Sequence, residues 1–247
     1  MHTPPHDRLT FPETADIETS SEDYARRFSG AVGAWFLRVQ EQATLRMLPP
    51  GSGVTLLDVG GGHGQLTGAF LQQGYQVTVL GSDDVCQQRI QHLLDEQRCT
   101  FQVGNLIKLP YPDRAFDVVV SYRLLPHVTQ WQTLIAELTR VARRAILVDY
   151  PTLYSVNVMT PLFFRFKKRF EGNTRPYTLF KERDLVTAFQ RHGFRRTQRY
   201  AEFFLPMALH RMLKAPKLSS AAEQLCRLCG LSPFLGSPVV LRLERAG

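Results

Sequence analysis

Asp58 stands two residues before the first of three alternating glycines, Gly60, Gly62 and Gly64, with Gly61 and His63 between them. The carboxylate ends a short apolar run, Val54-Thr55-Leu56-Leu57, and the glycines lead into a segment of helical pattern that reaches Gln73. A strand that runs into glycines and then a helix brings main-chain N–H groups and a helix N-terminus to the carboxyl edge of a sheet, where α/β proteins bind ligands. The neighbouring residues narrow the choice of ligand. Counting from Gly60, a dinucleotide fingerprint needs glycine where Gln65 stands, and the Gly-Lys-Ser/Thr of a phosphate loop is absent. An acid beside the loop repels a pyrophosphate and favours a ligand that carries positive charge.

The surrounding periodicity predicts the elements that hold this loop. Short apolar runs at 54–59, 75–80, 100–103, 115–121 and 145–150 read as buried strands, and helical patterns at 84–97 and 130–141 alternate with them. Strands separated by single helices make right-handed βαβ units and a parallel sheet. A helix at 181–192, a strand at 194–204 and a last strand at 238–244 follow, with insertions at 151–180 and 205–236. Upstream, Tyr24, Phe28, Val32, Trp35, Phe36 and Val39 recur at helical spacing, which predicts one helix or a pair broken at Gly30 or Gly33. Residues 1–20, with Pro4, Pro5 and Pro12 among polar residues, read as a flexible arm ahead of a single domain over 21–247.

The series Asp58-x-Gly60-x-Gly62-x-Gly64 resembles motif I of the class I S-adenosylmethionine (SAM)-dependent methyltransferases, and the likeness continues through 101–121. The resemblance covers about 54–150 and, more loosely, 181–204 and 237–245. It implies a doubly wound, Rossmann-like α/β sheet of seven strands, the last antiparallel, with SAM as cofactor. It also implies that Gly60, Gly61, Gly62 and Gly64 wrap the methionine end of SAM while Asp58 faces its ammonium. Asn105 falls where the family usually has an aspartate at the adenine; the amide oxygen suits the same contact, and an ordinary turn after Gly104 is the alternative. Leu106 and Ser121 fall beside the cofactor by the same likeness. One position departs from the pattern. The acid that receives the ribose hydroxyls should stand at Gly81, so Ser82 or Asp83 takes that role, or Asp83 merely caps the following helix.

By the same likeness, His127, just past the fourth strand, lies near the transferred methyl and is the candidate general base for a hydroxyl acceptor; a hydrogen-bonded loop histidine is the competing reading. Tyr24, on the helix with Arg27 and Phe28, resembles the segment that closes over SAM, and packing on the sheet edge is its alternative. Ser121-Tyr122-Arg123-Leu124 differs from the Asn/Asp/Ser-Pro-Pro-aromatic sequence of amino-directed DNA methyltransferases. None of the four cysteines follows proline, as a cytosine C5 nucleophile does. The Cys226/Cys229 pair has metal spacing but no second pair completes a zinc site, so two buried helix thiols are expected and no metal.

Charge is unevenly spread. Residues 1–150 hold 13 Lys and Arg against 16 acids, whereas residues 151–247 hold 17 against 6, so an anionic partner would meet the C-terminal part. In the 151–180 insertion, Tyr154, Val156, Phe163, Phe164, Phe166 and Phe170 alternate with Arg165, Lys167, Lys168 and Arg169. That mixture predicts a lid over a small apolar or anionic acceptor, with membrane-surface or anionic-ligand contact; nucleic acid held by phosphates and stacking is the rival. Few cysteines, no long apolar span and no basic-then-apolar leader predict a cytoplasmic protein. The expected activity is methylation of a small molecule. RNA or protein methylation, or a non-catalytic SAM-fold binding role, are the alternatives.

Overall fold

The computed structural model describes residues 11–156 and 177–247. Seven strands form one sheet: β1 (Thr55–Val59), β2 (Gln76–Gly81), β3 (Thr100–Val103), β4 (Phe116–Ser121), β5 (Ala142–Tyr150), β6 (Phe194–Ala201) and β7 (Val239–Arg245). Their order is β3-β2-β1-β4-β5-β7-β6, with β7 antiparallel to both neighbours, as the resemblance implies. Chain order reverses between β1 and β4, where Asp58 lies opposite Val79 on one side and Val120 on the other. An open parallel sheet parts its connections at such a reversal, and the gap becomes the ligand crevice.

Helices cover both faces, which is why the central strands read as unbroken apolar runs. Leu134, Ile135 and Leu138 of α6 (Trp131–Val141) join Leu185 and Phe189 of α7 (Glu182–Gln190) over Val119, Ile146 and Val148. On the other face Leu66, Phe70 of α4 (Thr67–Gln72), Leu93 of α5 (Gln91–Asp95) and Met47 pack over Leu56, Val79, Val118 and Leu147. The stretch 84–97, expected as one helix, is a 3₁₀ turn over Asp84–Ile90 before α5 begins. It is held tightly against the glycine loop, where the Cys86 carbonyl touches the place of a side chain at Gly62 and Arg89 Nε donates to the His63 carbonyl at 3.1 Å.

Near the N-terminus the apolar series divides at Gly30, one of the two expected places, into α2 (Glu22–Arg26) and α3 (Gly30–Met47). Residues 13–20, read as the end of a loose arm, are instead built into the fold. Helix α1 (Ala15–Thr19) buries Ala15, Asp16 and Thr19, and Glu13 accepts the Gln130 backbone N–H at 3.0 Å. Partners more than sixty residues away hold this strap down, so local composition did not reveal it.

The lid expected within the first insertion, including Val158, Met159, Leu162 and 163–170, lies outside the described residues. The ends of that insertion are pinned together where the Leu153 N–H donates to the Phe180 carbonyl and the Phe180 N–H donates to the Pro151 carbonyl. The second insertion forms α8 (Met207–Leu213), α9 (Pro216–Leu228) and α10 (Leu231–Leu235). Glu223 of α9 anchors it, accepting from the Phe204 and Leu205 backbone N–H groups, each at 2.9 Å, and pairing with His210 Nε2 at 3.0 Å. His210 in turn sets its ring edge on Trp35 of α3. Cys226 is only half-buried and Cys229 is exposed, so the expectation of two buried thiols fails because α9 turns its polar side inward.

Candidate cofactor and acceptor site

β1 delivers Asp58 to the base of the glycine loop, where the side chain is fully buried and neither carboxylate oxygen has a hydrogen-bond partner. Burial alone pushes its carboxyl up to about 7. A buried carboxylate without a donor costs several kcal/mol when charged unless a cation meets it. The loop folds closely around that acid. Gly60 and Gly64 have φ of 75° and 67°, a left-handed conformation that only glycine adopts without strain, and they bracket a 3₁₀ turn over Gly61–His63. A side chain at Gly61 would overlap the Asp58 carboxylate, and one at Gly62 would lie 2.5 Å from Ser20 Oγ. His63, which the sequence did not single out, is buried beside them. Its Nδ1 accepts from Gln65 N at 3.2 Å, Nε2 has no partner, and burial with the Arg123 and Arg89 charges holds the ring neutral.

The ribose end is arranged differently. An added side chain at Gly81 would come within 2.7 Å of Cys86 Cβ and 2.9 Å of Phe101 Cζ, so there is no room for the customary acid. Asp83 caps the 3₁₀ turn, accepting from Val85 N at 2.9 Å, which matches the capping alternative. Ser82 is buried and acts as a donor: its N–H and Oγ give hydrogen bonds of 2.6 and 2.5 Å to Asp16 on the strap. Cys86 Sγ lies 3.3 Å from the same carboxylate. Asp16 is therefore the carboxylate at this end of the crevice, brought from a segment sixty-six positions away.

The remaining expected residues fall on both sides of the sheet reversal. Asn105 turns the chain after β3, its Oδ1 accepting from Ile107 N at 3.0 Å, so that oxygen already serves the turn. Leu106 is wholly buried in the main core. Ser121 closes β4 against β1 through a 3.1 Å hydrogen bond from Oγ to the Val59 carbonyl. His127 ends the 3₁₀ turn Leu125–His127, with the Tyr177 ring 5.4 Å away. Tyr24 sits on α2 with its ring 5.8 Å from Phe28 and the Arg123 guanidinium 6.0 Å from its centre; burial raises its phenol.

Sequence reading missed a buried polar network beside this acceptor end. Arg123 has φ of 58°, an uncommon conformation for a residue other than glycine, and its N–H donates to Asp149 Oδ1 at 2.7 Å. Gln40 of α3 donates to both Asp149 and Glu202, at 3.1 and 2.9 Å, and accepts from Arg123 Nη2 at 3.1 Å. The guanidinium also lies 4.2 Å over the Phe28 ring. Burial, then the neighbouring Asp149, raises Glu202 to about 8, so Glu202 keeps its proton near neutral pH. An acid inside the apolar run Ala145-Ile146-Leu147-Val148-Asp149 was a readable signal; the partnership of Gln40 and Glu202 was not. Among the described residues, no cluster of three or more His, Cys, Asp or Glu is arranged to hold a metal ion.

Comparison with known proteins agrees with this frame. Residues 57–145 match the family described as a methyltransferase domain. The chain is 28% identical over 149 residues to malonyl-[acyl-carrier protein] O-methyltransferase from Serratia marcescens, covering 57% of this chain and 56% of that protein. The chain spans from 36% to 56% of the length of the first curated relatives it matches. In structure it resembles magnesium protoporphyrin IX methyltransferase from Synechocystis, solved with S-adenosylhomocysteine (SAH), with a TM-score of 0.62, 14% identity and coverage of 94% and 100% of the two chains. It likewise resembles the Burkholderia thailandensis 1,6-didemethyltoxoflavin-N1-methyltransferase at a TM-score of 0.61, with 16% identity and coverage of 94% and 85%. Residues 57–145 thus match a methyltransferase domain, and the glycine loop and 3-2-1-4-5-7-6 sheet around them have the class I SAM-dependent methyltransferase fold.

Proposed function

We propose that the protein transfers the methyl group of SAM to a small acceptor molecule of apolar or anionic character, and that residues 21–247, with the strap of residues 13–20 packed on them, act as one catalytic domain. The observation that carries this reading is the buried, partnerless Asp58 carboxylate beneath a loop that tolerates no side chain at Gly61 or Gly62. An ammonium at that place supplies the counter-charge the acid lacks. SAM brings an already activated methyl group, so the protein's tasks are alignment and exclusion of water. Asp58 and the loop hold the amino-acid end, and His127 takes the proton of a hydroxyl acceptor. The aromatic rings of Tyr24, Phe28 and Tyr177, with Arg123 among them, line the acceptor side and suit an apolar or anionic molecule. The small molecule 1,6-didemethyltoxoflavin, named as the acceptor of one similar protein, supports the class of substrate.

The strap must lift before a nucleoside reaches the crevice. Gly60, Gly61, Gly62, His63, Ser82, Leu106 and Ser121 are all buried with the strap in place. That same burial, with the acid missing from Gly81, favours a second reading, a SAM-fold protein that binds a partner and performs no transfer. Calorimetry with SAM and SAH separates them: binding of either supports the enzyme, and binding of neither excludes it. Labelled methyl transfer into organic-soluble, RNA and protein pools of an extract then identifies the acceptor class; label confined to RNA or protein would overturn the small-molecule assignment.

A further inference from the structure

Helix α9 is built inside out. Its buried positions are Ser219 and Glu223, whereas Leu218, Leu225 and Leu228 are 58%, 63% and 86% exposed. On the helices before and after it, Met212 of α8 and Phe234 of α10 are likewise 79% and 77% exposed. Of the 13 large hydrophobic side chains exposed among the described residues, nine lie between 209 and 235, so the exposed apolar side chains are concentrated on this insertion. A monomeric soluble surface scatters such residues singly; a contiguous patch marks a docking face.

The charges choose the occupant. The insertion 205–236 contains one acid, Glu223, and that acid is buried against His210. Arg211, Lys214 and Lys217 are exposed beside the leucines. A second copy of this chain, pairing through the same face, would set these cations against their own equivalents. The chain's 157–176 segment has five Lys and Arg against Glu171 alone, so it carries the same sign. A surface that is apolar in its interior and negative at its boundary fits both features, and that is the description of a bilayer rich in anionic lipid. We propose that α8, α9 and α10 dock this protein on an anionic membrane surface, lying in the headgroup layer. No helix among the described residues is long and apolar enough to cross a membrane, so the contact is peripheral. β6 runs parallel to β5, so it delivers the insertion to the carboxyl edge of the sheet, the edge that carries the acceptor network. The docked face is thus beside the acceptor end.

The test is co-sedimentation of the full chain with vesicles of phosphatidylcholine alone and of phosphatidylcholine mixed in equal parts with phosphatidylglycerol. Retention is expected on the mixed vesicles, falling as salt rises. Reversing both Lys214→Glu and Lys217→Glu should weaken partitioning at least about twentyfold, since each cation near such a surface contributes about fivefold. Leu225→Glu with Leu228→Glu, at exposed positions that leave the core intact, should abolish it while circular dichroism stays unchanged. Equal retention on both vesicle types, no retention on either, or retention untouched by both double substitutions would overturn the proposal. So would a concentration-dependent dimer in vesicle-free solution that the leucine substitutions dissociate, because the occupant would then be a second copy.

Discussion

Replacing Asp58 with asparagine should make the protein more stable and deprive it of its ligand. In the folded chain burial holds this carboxyl at about 7, against 3.8 as its ordinary value. A rise of that size corresponds to roughly 4 kcal/mol by which folding disfavours the charged form. The sign follows from proton linkage. Between about pH 4 and pH 7 the unfolded chain has lost this proton while the folded chain keeps it, so stability falls as pH rises through that window and is level above it. Asparagine removes the charge but leaves a buried amide without partners, at a cost of about 1–3 kcal/mol. The net gain for Asp58→Asn at about pH 8 is therefore roughly 1–3 kcal/mol, or several degrees in Tm for a chain of this size. At about pH 4 the gain should vanish or reverse. Urea unfolding of both proteins across this range reads the difference directly, and calorimetry should show that the variant no longer binds SAH. The same acid should release a proton when wild type binds SAH at about pH 6, seen as a buffer-dependent enthalpy. A stability difference independent of pH, or a variant destabilised at pH 8, would refute the account of Asp58 as an unpaired buried acid.

Gly62→Ala should weaken SAH binding and lower stability by about 1–3 kcal/mol, because the new methyl meets the Cys86 carbonyl and Ser20 Oγ; chemical denaturation measures the loss. Asp16→Ala frees the strap from Ser82 and should tighten SAH binding about tenfold, since a larger share of the protein is then competent to bind. Weaker binding would instead make Asp16 itself the ribose acceptor. Gln40→Leu leaves Asp149 and Glu202 without their shared donor and should cost about 2–4 kcal/mol, more above pH 8, where Glu202 must also ionise. With a hydroxyl acceptor, His127→Ala should lower kcat by about a hundredfold or more and remove a limb of the pH profile; an unchanged profile eliminates the base.

The strand-to-glycine junction at 58–64 and the alternation of strands and helices after it determined the fold class, the place of the crevice and the resemblance to a methyltransferase domain, because those features rest on local chemistry. Alternating apolar runs and glycines state where strands end and where main chain must come close, whatever surrounds them. The helix over 130–141, the strands at 100–103 and 115–121, and the break at Gly30 were legible for the same reason. What only tertiary structure decided are the contacts between distant segments. Asp16 reached Ser82, Gln40 joined Asp149 to Glu202, and Arg123 came to lie over Phe28. Ser82 is a donor to a strap and Asp83 a cap, assignments that depend on which buried group needs a partner rather than on position after a strand. The inverted face of α9 belongs to this class too: its period announces an amphipathic helix, but the side turned to the core is chosen by Glu223, which found His210 and two main-chain N–H groups to satisfy it.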